Sequence, residues 1–200
     1  MHNQEYYPYI HADINSSTIK TYLESWYENN IKNTGYSAYV SDEIFCNDRS
    51  IDRTIRPDDL GYGQNYTLYA PYTRTSTNKN PSLLCPQKND AFTKADTING
   101  NGKLTYPVGL LTADEIILAG GQSSVNSDYY LYTGQYYWAL SPYFFTDVDA
   151  YEFYVNTGGS LLNLYVNGTF GLRPVISLVA GTTFADNGAD GTALKPYVVE

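Results

Sequence analysis

Tyr129-Tyr130-Leu131-Tyr132-Thr133-Gly134-Gln135-Tyr136-Tyr137-Trp138 opens a run that closes with Gly171-Leu172-Arg173-Pro174-Val175-Ile176-Ser177-Leu178. The opening is crowded with tyrosine and nearly free of titratable groups, which suits a surface that grips better than a site that does chemistry. A tyrosine offers large contact area, a hydrogen-bonding tip and little entropy loss on ordering. Between the two ends the pattern reads as β-structure. Tyr136–Leu140 and Tyr151–Asn156 are aromatic-rich, Thr157-Gly158-Gly159 is a turn, and Leu161–Val166 is a strand. Asn167-Gly168 is a preferred pair for a tight hairpin. Phe170–Val179 reads as the last long strand, with Pro174 arguing for an edge or a bulge.

Upstream, Leu104–Leu111 reads as a strand entering a helix. Thr112-Ala113-Asp114-Glu115 is a capping box, in which the Thr112 hydroxyl caps the Glu115 amide and the Glu115 carboxylate reaches back. Ile116, Ile117 and Ala119 supply its buried face, and Gly120-Gly121 stops it. An earlier helix follows from Ile19, Tyr22, Leu23, Trp26, Tyr27 and Ile31, an apolar stripe at helical spacing. It is capped by Asn15, Ser16 or Ser17 and ended by Asn33–Gly35, and Trp26 belongs to its core face. Between the helices, Tyr36–Ala95 is turn chemistry: Asp58-Asp59, Gly61-Tyr62-Gly63, Ser76–Pro81 and Pro86. Short strands are expected near Ala38–Val40 and Tyr66–Tyr69.

The chain has 200 residues, enough for one medium domain, with 42% hydrophobic residues to build a core. We expect an arm over residues 1–16 and a single domain over 17–200. Only 16% of residues are charged against about a quarter in ordinary proteins. Tyr alone contributes 22 positions, and the net charge is −9. That charge disfavours nucleic acid and anionic membrane as partners. No apolar run spans a bilayer, and no export signal stands at the N-terminus. Met1-His2-Asn3-Gln4 looks like an arbitrary start, so the precursor is expected to be longer, with its signal or anchor elsewhere.

Cys46 and Cys85 allow two readings, a pair of buried thiols or a bridge that clamps the loop-rich segment. The polar, turn-rich setting of each (Phe-Cys-Asn-Asp-Arg and Leu-Cys-Pro) favours the bridge, and a bridge implies an oxidising compartment.

The order helix, loops, strand, helix, then hairpins ending in Gly-Leu-Arg-Pro-Val resembles the C-type-lectin-like fold as used by formylglycine-generating-enzyme-type domains. The likeness is closest to uncharacterised domains of gut-bacterial surface proteins. It rests on Ile19–Tyr27, Phe45–Arg49, Lys103–Glu115, Tyr129–Trp138 and Gly171–Ile176, and it covers most of residues 17–199. The resemblance implies an α+β fold with two helices packed on short antiparallel sheets and long loops. The wider group includes the variable proteins of diversity-generating retroelements, which display Tyr, Asn and Ser near the C-terminus, and Tyr129–Tyr165 is similar in composition.

Catalytic patterns are thin. The enzymatic relatives need reactive cysteines in the C-terminal half, where this chain has none. The calcium motifs of sugar-binding C-type lectins are absent as well. His2 and His11 both lie in the arm, and no metal-ligand spacing or phosphate-binding loop occurs. Asp42, Glu43, Asp48, Asp58, Asp59, Asp147, Asp149 and Glu152 are available for a paired-carboxylate hydrolase, although a solvated surface accounts for most of them. Asp186, Asn187 and Asp190 could ligate calcium through hard oxygens, but their spacing misses the calcium-loop pattern and reads better as an Asp-rich turn. Arg173 sits between apolar neighbours and needs acceptors, so it is expected to lock the fold. We therefore expect no catalytic residues, cofactor or metal. The expected function is an extracellular or cell-surface module that binds a protein or a glycan. Tyr129, Tyr130, Tyr132, Tyr136, Tyr143, Phe144, Phe145 and Tyr151 are the candidate contacts. Trp138 joins Trp26 in the core, and Tyr143–Phe145 is expected in a loop after Ser141-Pro142. The alternative is a self-associating subunit of a surface assembly.

Overall fold

The computed structural model describes residues 17–55, 66–146, 149–186, 188–192 and 194–200. The arm, His2, His11, Asp58-Asp59, Gly61–Gly63, Asp147 and Asn187 therefore lie outside the described residues.

Helix α1 (Thr18–Tyr27) begins where the Ser17 hydroxyl accepts the Lys20 amide at 3.0 Å. It buries Leu23 and Tyr27, whose ring stacks on Tyr106 at 5.0 Å. One wider π-helical turn, Glu28–Lys32, extends it before Gly35 turns the chain at φ 84°. Trp26 is half-buried and packs on the same apolar cluster. Helix α3 (Ala113–Leu118) carries both halves of the Thr112/Glu115 capping box, and Gly120 ends it at φ 102°. Between them lies a short helix that the turn-rich composition conceals. This helix, α2 (Ala70–Tyr72), runs on as a π-helical turn over Thr73–Thr77. Pro71 at its start needs no amide partner and suits a helix start.

The fold is α+β with antiparallel sheets. Strands β3 (Thr67–Leu68), β5 (Tyr137–Phe145), β6 (Ala150–Val155) and β7 (Leu161–Tyr165) form one sheet in the order β3-β5-β6-β7. Two two-stranded ribbons accompany it. In one, β1 (Val40–Ser41) pairs β8 (Ser177–Leu178), and in the other β2 (Phe45–Cys46) pairs β4 (Ala91–Phe92). The large sheet has apolar side chains on both faces. Tyr137, Ala139, Phe153 and Val155 pack with Ala113 and Ile116 of α3, whereas Trp138 and Leu140 pack with Leu23 and Tyr27 of α1.

Several expectations are corrected. Tyr143–Phe145 is not a loop: it continues β5, an interior strand, through Pro142. The pairing with β6 shifts register on both sides of Pro142, and this irregularity lets an interior strand accommodate a residue that cannot donate to the ladder. Leu104–Leu111 is not a strand. Pro107 interrupts it, the Val108 amide turns back on the Tyr106 carbonyl at 2.9 Å, and Gly109 alone bridges to Val175. Asn167-Gly168 makes a turn but no hairpin, and Phe170–Val179 is not one strand. The segment crosses from Tyr137 (through Gly171) to Gly109 (through Val175) and ends as β8 against β1. Ala38–Val40 is mostly a 3₁₀ turn, Tyr36–Tyr39, leading into β1.

Cys46 and Cys85 form a disulfide with Cα atoms 5.6 Å apart. It ties the base of the loop-rich segment, and buried ion pairs hold the same region. Arg49 binds Asp90, which is fully buried. Arg74 donates to Asp114 through Nε and Nη2 (2.8 and 2.7 Å) and to Asp48 through Nη1 at 2.7 Å. Asp114 also accepts the Ser82 amide at 2.8 Å, so one carboxylate joins α3, α2 and the segment leading to Cys85.

Candidate functional site

The β6–β7 hairpin turns through Asn156–Ser160, with Gly159 at φ 78°. A Cβ there would stand 1.8 Å from the Asn126 carbonyl oxygen, so only glycine fits. The turn sets the register: Val155 opposes Leu161, and Tyr151 therefore opposes Tyr165. Across the other edge of β6, Tyr151 opposes Phe144. Three rings thus form a row over three strands, with centroids 4.2 Å apart for Phe144–Tyr151 and 4.5 Å for Tyr151–Tyr165. Cross-strand aromatic pairs stabilise a sheet and also make a continuous flat surface.

Phe144 extends the row into a groove of about 280 Å³ walled by Ile55, Tyr66, Leu68, Tyr72 and Tyr143. Tyr66 is 51% exposed and Tyr165 41%, so the two ends of this surface are open to solvent. The Tyr143 ring meets Tyr72 edge-on at 4.8 Å. Burial, with Tyr72 beside it, pushes the Tyr143 phenol up to about 12. That hydroxyl is therefore a neutral hydrogen-bonding group at ordinary pH. The surface offers flat rings and phenolic tips.

Of the candidate contacts, Tyr143, Phe144 and Tyr151 come together here. The others do not. Phe145 is buried beside Tyr69 and Ala150, and Tyr129 is buried against α3, so neither can meet a surface ligand. Tyr129 donates to the Gly159 carbonyl at 3.2 Å, and the half-buried Tyr132 donates to the Thr157 carbonyl at 3.1 Å. Both brace the hairpin turn. Tyr130 is exposed but stands apart from the row. Tyr136 stacks on Phe170 at 4.9 Å, in a second cluster with Trp138 and Tyr154. Arg173 donates to the Leu131 carbonyl and lies 5.6 Å over the Tyr137 ring, a fold-locking role. Tyr66, Tyr72 and Tyr165 escaped the reading of the chain. Tyr165 was findable, since counting outward from the Gly158-Gly159 turn pairs it with Tyr151. Tyr66 and Tyr72 carried no local signal.

The carboxylates are spoken for one at a time. Asp42 accepts the amides of Lys94, Ala95 and Asp96 at 2.6–3.1 Å. Glu43 accepts from the Ser41 hydroxyl at 2.7 Å. Asp48 and Asp114 share Arg74 at the wall of a cavity of about 370 Å³ that the disulfide also lines. Asp190 is held below its ordinary value by hydrogen bonds from Thr192. Glu152 is buried between Trp138, Leu140 and α1, and burial pushes its carboxyl well above the usual range. Among the described residues, no three His, Cys, Asp or Glu side chains are grouped to hold a metal ion. No helix among them is long and apolar enough to cross a membrane. Comparison with family models, curated proteins and solved structures returned no match.

Proposed function

We propose that the protein is an extracellular or cell-surface binding module of C-type-lectin-like arrangement, without catalysis of its own. Its ligand is a glycan held on the Phe144–Tyr151–Tyr165 row and in the adjoining groove. The observation that carries the reading is the in-register row of rings that opens at Tyr165 and, through the groove, at Tyr66. A flat, uncharged surface with phenolic tips complements the apolar faces and hydroxyls of a sugar ring. The disulfide supports export, because such bonds persist in oxidising compartments. Helices α1 and α3 beside antiparallel sheets, with long loops and the Gly171–Val175 crossing segment, support the fold reading.

A glycan array followed by titration tests it. Each stacked ring contributes about 1 kcal/mol, so Tyr151→Ala/Tyr165→Ala is expected to weaken binding roughly 30-fold. Silence on glycans with binding to surface proteins would move the ligand to the protein class, and silence on both would end the proposal.

A second reading has its own observation. Phe184 and Tyr197 pair at 5.6 Å near the C-terminus, and Leu194 and Val198 are also exposed there, an apolar patch suited to a copy of the same chain in an assembly. Sedimentation at high concentration decides it, since a persistent monomer leaves this patch without that role.

A further inference from the structure

The cavity of about 370 Å³ that the disulfide lines shares no residue with the aromatic row or its groove. It lies between β2, the first turn of α3, Ser141 of β5 and the segment 82–85. We propose that this cavity is a second binding site, one that captures an amino-terminal residue: a free α-ammonium at Glu115, the following carbonyl at Arg74 and Ser141, and an apolar side chain.

The polar wall holds hydrogen-bonding capacity that the fold leaves over. Ser141 is only 1% exposed. Its hydroxyl oxygen accepts the Ala113 amide at 2.9 Å, and its own proton has no acceptor among the described residues. Arg74 places three of its five N–H groups on Asp48 and Asp114, and the other two have no acceptor among the described residues. These are donors, and a carbonyl oxygen complements them. Glu115 is the reverse. Its Oε2 takes the Thr112 amide and hydroxyl at 2.7 and 2.9 Å, and its Oε1 accepts no hydrogen bond among the described residues. An ammonium suits that oxygen through a charge-assisted hydrogen bond. Asp48, Asp114 and Glu115 outnumber Arg74 in this wall, and the whole chain carries −9, so a cation is drawn in and a ligand ending in a carboxylate is repelled. Phe45 and Leu110 supply a buried apolar wall, and Leu83 and Leu84, 69% and 79% exposed, stand at the mouth. A leucine-sized side chain set among them removes apolar surface of both partners from water. An apolar cavity of about 150 Å³ accommodates benzene, so about 370 Å³ takes one amino-acid residue and the start of the next. An ammonium, a side chain and a carbonyl around one carbon belong to the first residue of a chain, because an interior nitrogen carries no charge. A free amino-acid amide and the amino terminus of a partner share this chemistry.

The test titrates the whole disulfide-bonded chain with leucinamide, with the amide of the tripeptide Leu-Gly-Gly, and with N-acetyl-leucinamide, which lacks the charge. Backbone amide signals of Leu83, Leu84 and Ser141 in NMR spectra are the readout. Saturable binding of leucinamide or the tripeptide is expected, about tenfold or more tighter than the acetylated compound, and the tighter of the two amines identifies the source. Glycinamide, without the side chain, is expected to bind about tenfold or more weakly than leucinamide. Glu115→Gln keeps an acceptor for the cap of α3 and removes the charge, so the preference for the free amine disappears. Leu83→Ser/Leu84→Ser, at the exposed mouth, weakens binding about tenfold and serves as the second variant if Glu115→Gln fails to fold. Absence of saturation by either amine, equal binding of the acetylated compound or of glycinamide, an undiminished amine preference in Glu115→Gln, or undiminished binding in the leucine variant would overturn the proposal.

Discussion

Removing the Cys46–Cys85 bridge by Cys46→Ala/Cys85→Ala tests how the loop-rich segment is held. The two residues are 39 apart in sequence. Closing a loop of that length lowers the entropy of the unfolded chain by an amount equivalent to about 4 kcal/mol at 25 °C. The native state keeps its other ties: Arg49 to Asp90, Arg74 to Asp48 and Asp114, and the Asn47 amide to the Asp90 carbonyl. The variant is therefore expected to fold with the same far-UV spectrum and to lose about 4 kcal/mol, a large part of the 5–15 kcal/mol typical of a domain. An unfolding entropy near 2.1 cal/mol/K per residue over 200 residues makes that a fall of about 10 °C in Tm. Urea unfolding followed by circular dichroism gives the free energy, and the m value is expected to rise because the unlinked chain exposes more surface. A loss below about 1 kcal/mol with an unchanged m value would refute the reasoning, since the link would then not be limiting the unfolded ensemble.

Arg74→Met strands two buried carboxylates, Asp48 and Asp114, and is expected to cost about 3–5 kcal/mol in urea unfolding; adding Asp48→Asn and Asp114→Asn should recover much of it. Glu152 supplies a pH signature. Burial holds its folded pKa well above the ordinary glutamate value of 4.5, so the unfolded chain binds fewer protons in the window between the two. Stability from this group is complete below the unfolded value and falls as pH rises towards the folded one. Glu152→Gln is expected to flatten that decline in thermal melts above pH 4.5, and equal slopes in both proteins would sink the assignment.

Elements were legible in the chain where the signal is local and failed where the partner is distant. The stripe Ile19–Ile31 and the box Thr112–Glu115 specify helices through neighbours three or four residues away, and both stand where periodicity puts them. The hairpin Tyr151–Tyr165 is equally local, because one glycine turn sets every pair in it. By contrast, β1 and β8 have two residues each and exist only because Val40 meets Leu178. No alternation can reveal so short a strand. Pro142 misled for a related reason: local chemistry says loop, but pairing on both sides of β5 holds the strand and confines the disturbance to register shifts. Arg74 and Asp114 are 40 residues apart, and nothing in either neighbourhood announces the pair.

The candidate surface was half legible for the same reason, and the half that was missed explains why the composition looks as it does. Tyrosine density marked the right region but could not sort surface from core. A strand sends alternate residues to opposite faces, and here both faces are apolar. The sheet consumes tyrosines on both sides. Tyr129 and Tyr137 pack under α3, Tyr27 and Tyr154 belong to the α1 side, and the row takes only those at the open end of the hairpin. The buried charges Asp48, Asp90 and Asp114 are occupied in fastening irregular chain to that sheet through Arg49 and Arg74. Where the cysteine bridge and two arginines hold the loops, the sheet is left to present neutral rings. A Tyr-rich, charge-poor chain is then what a stacking surface on a cross-linked scaffold requires.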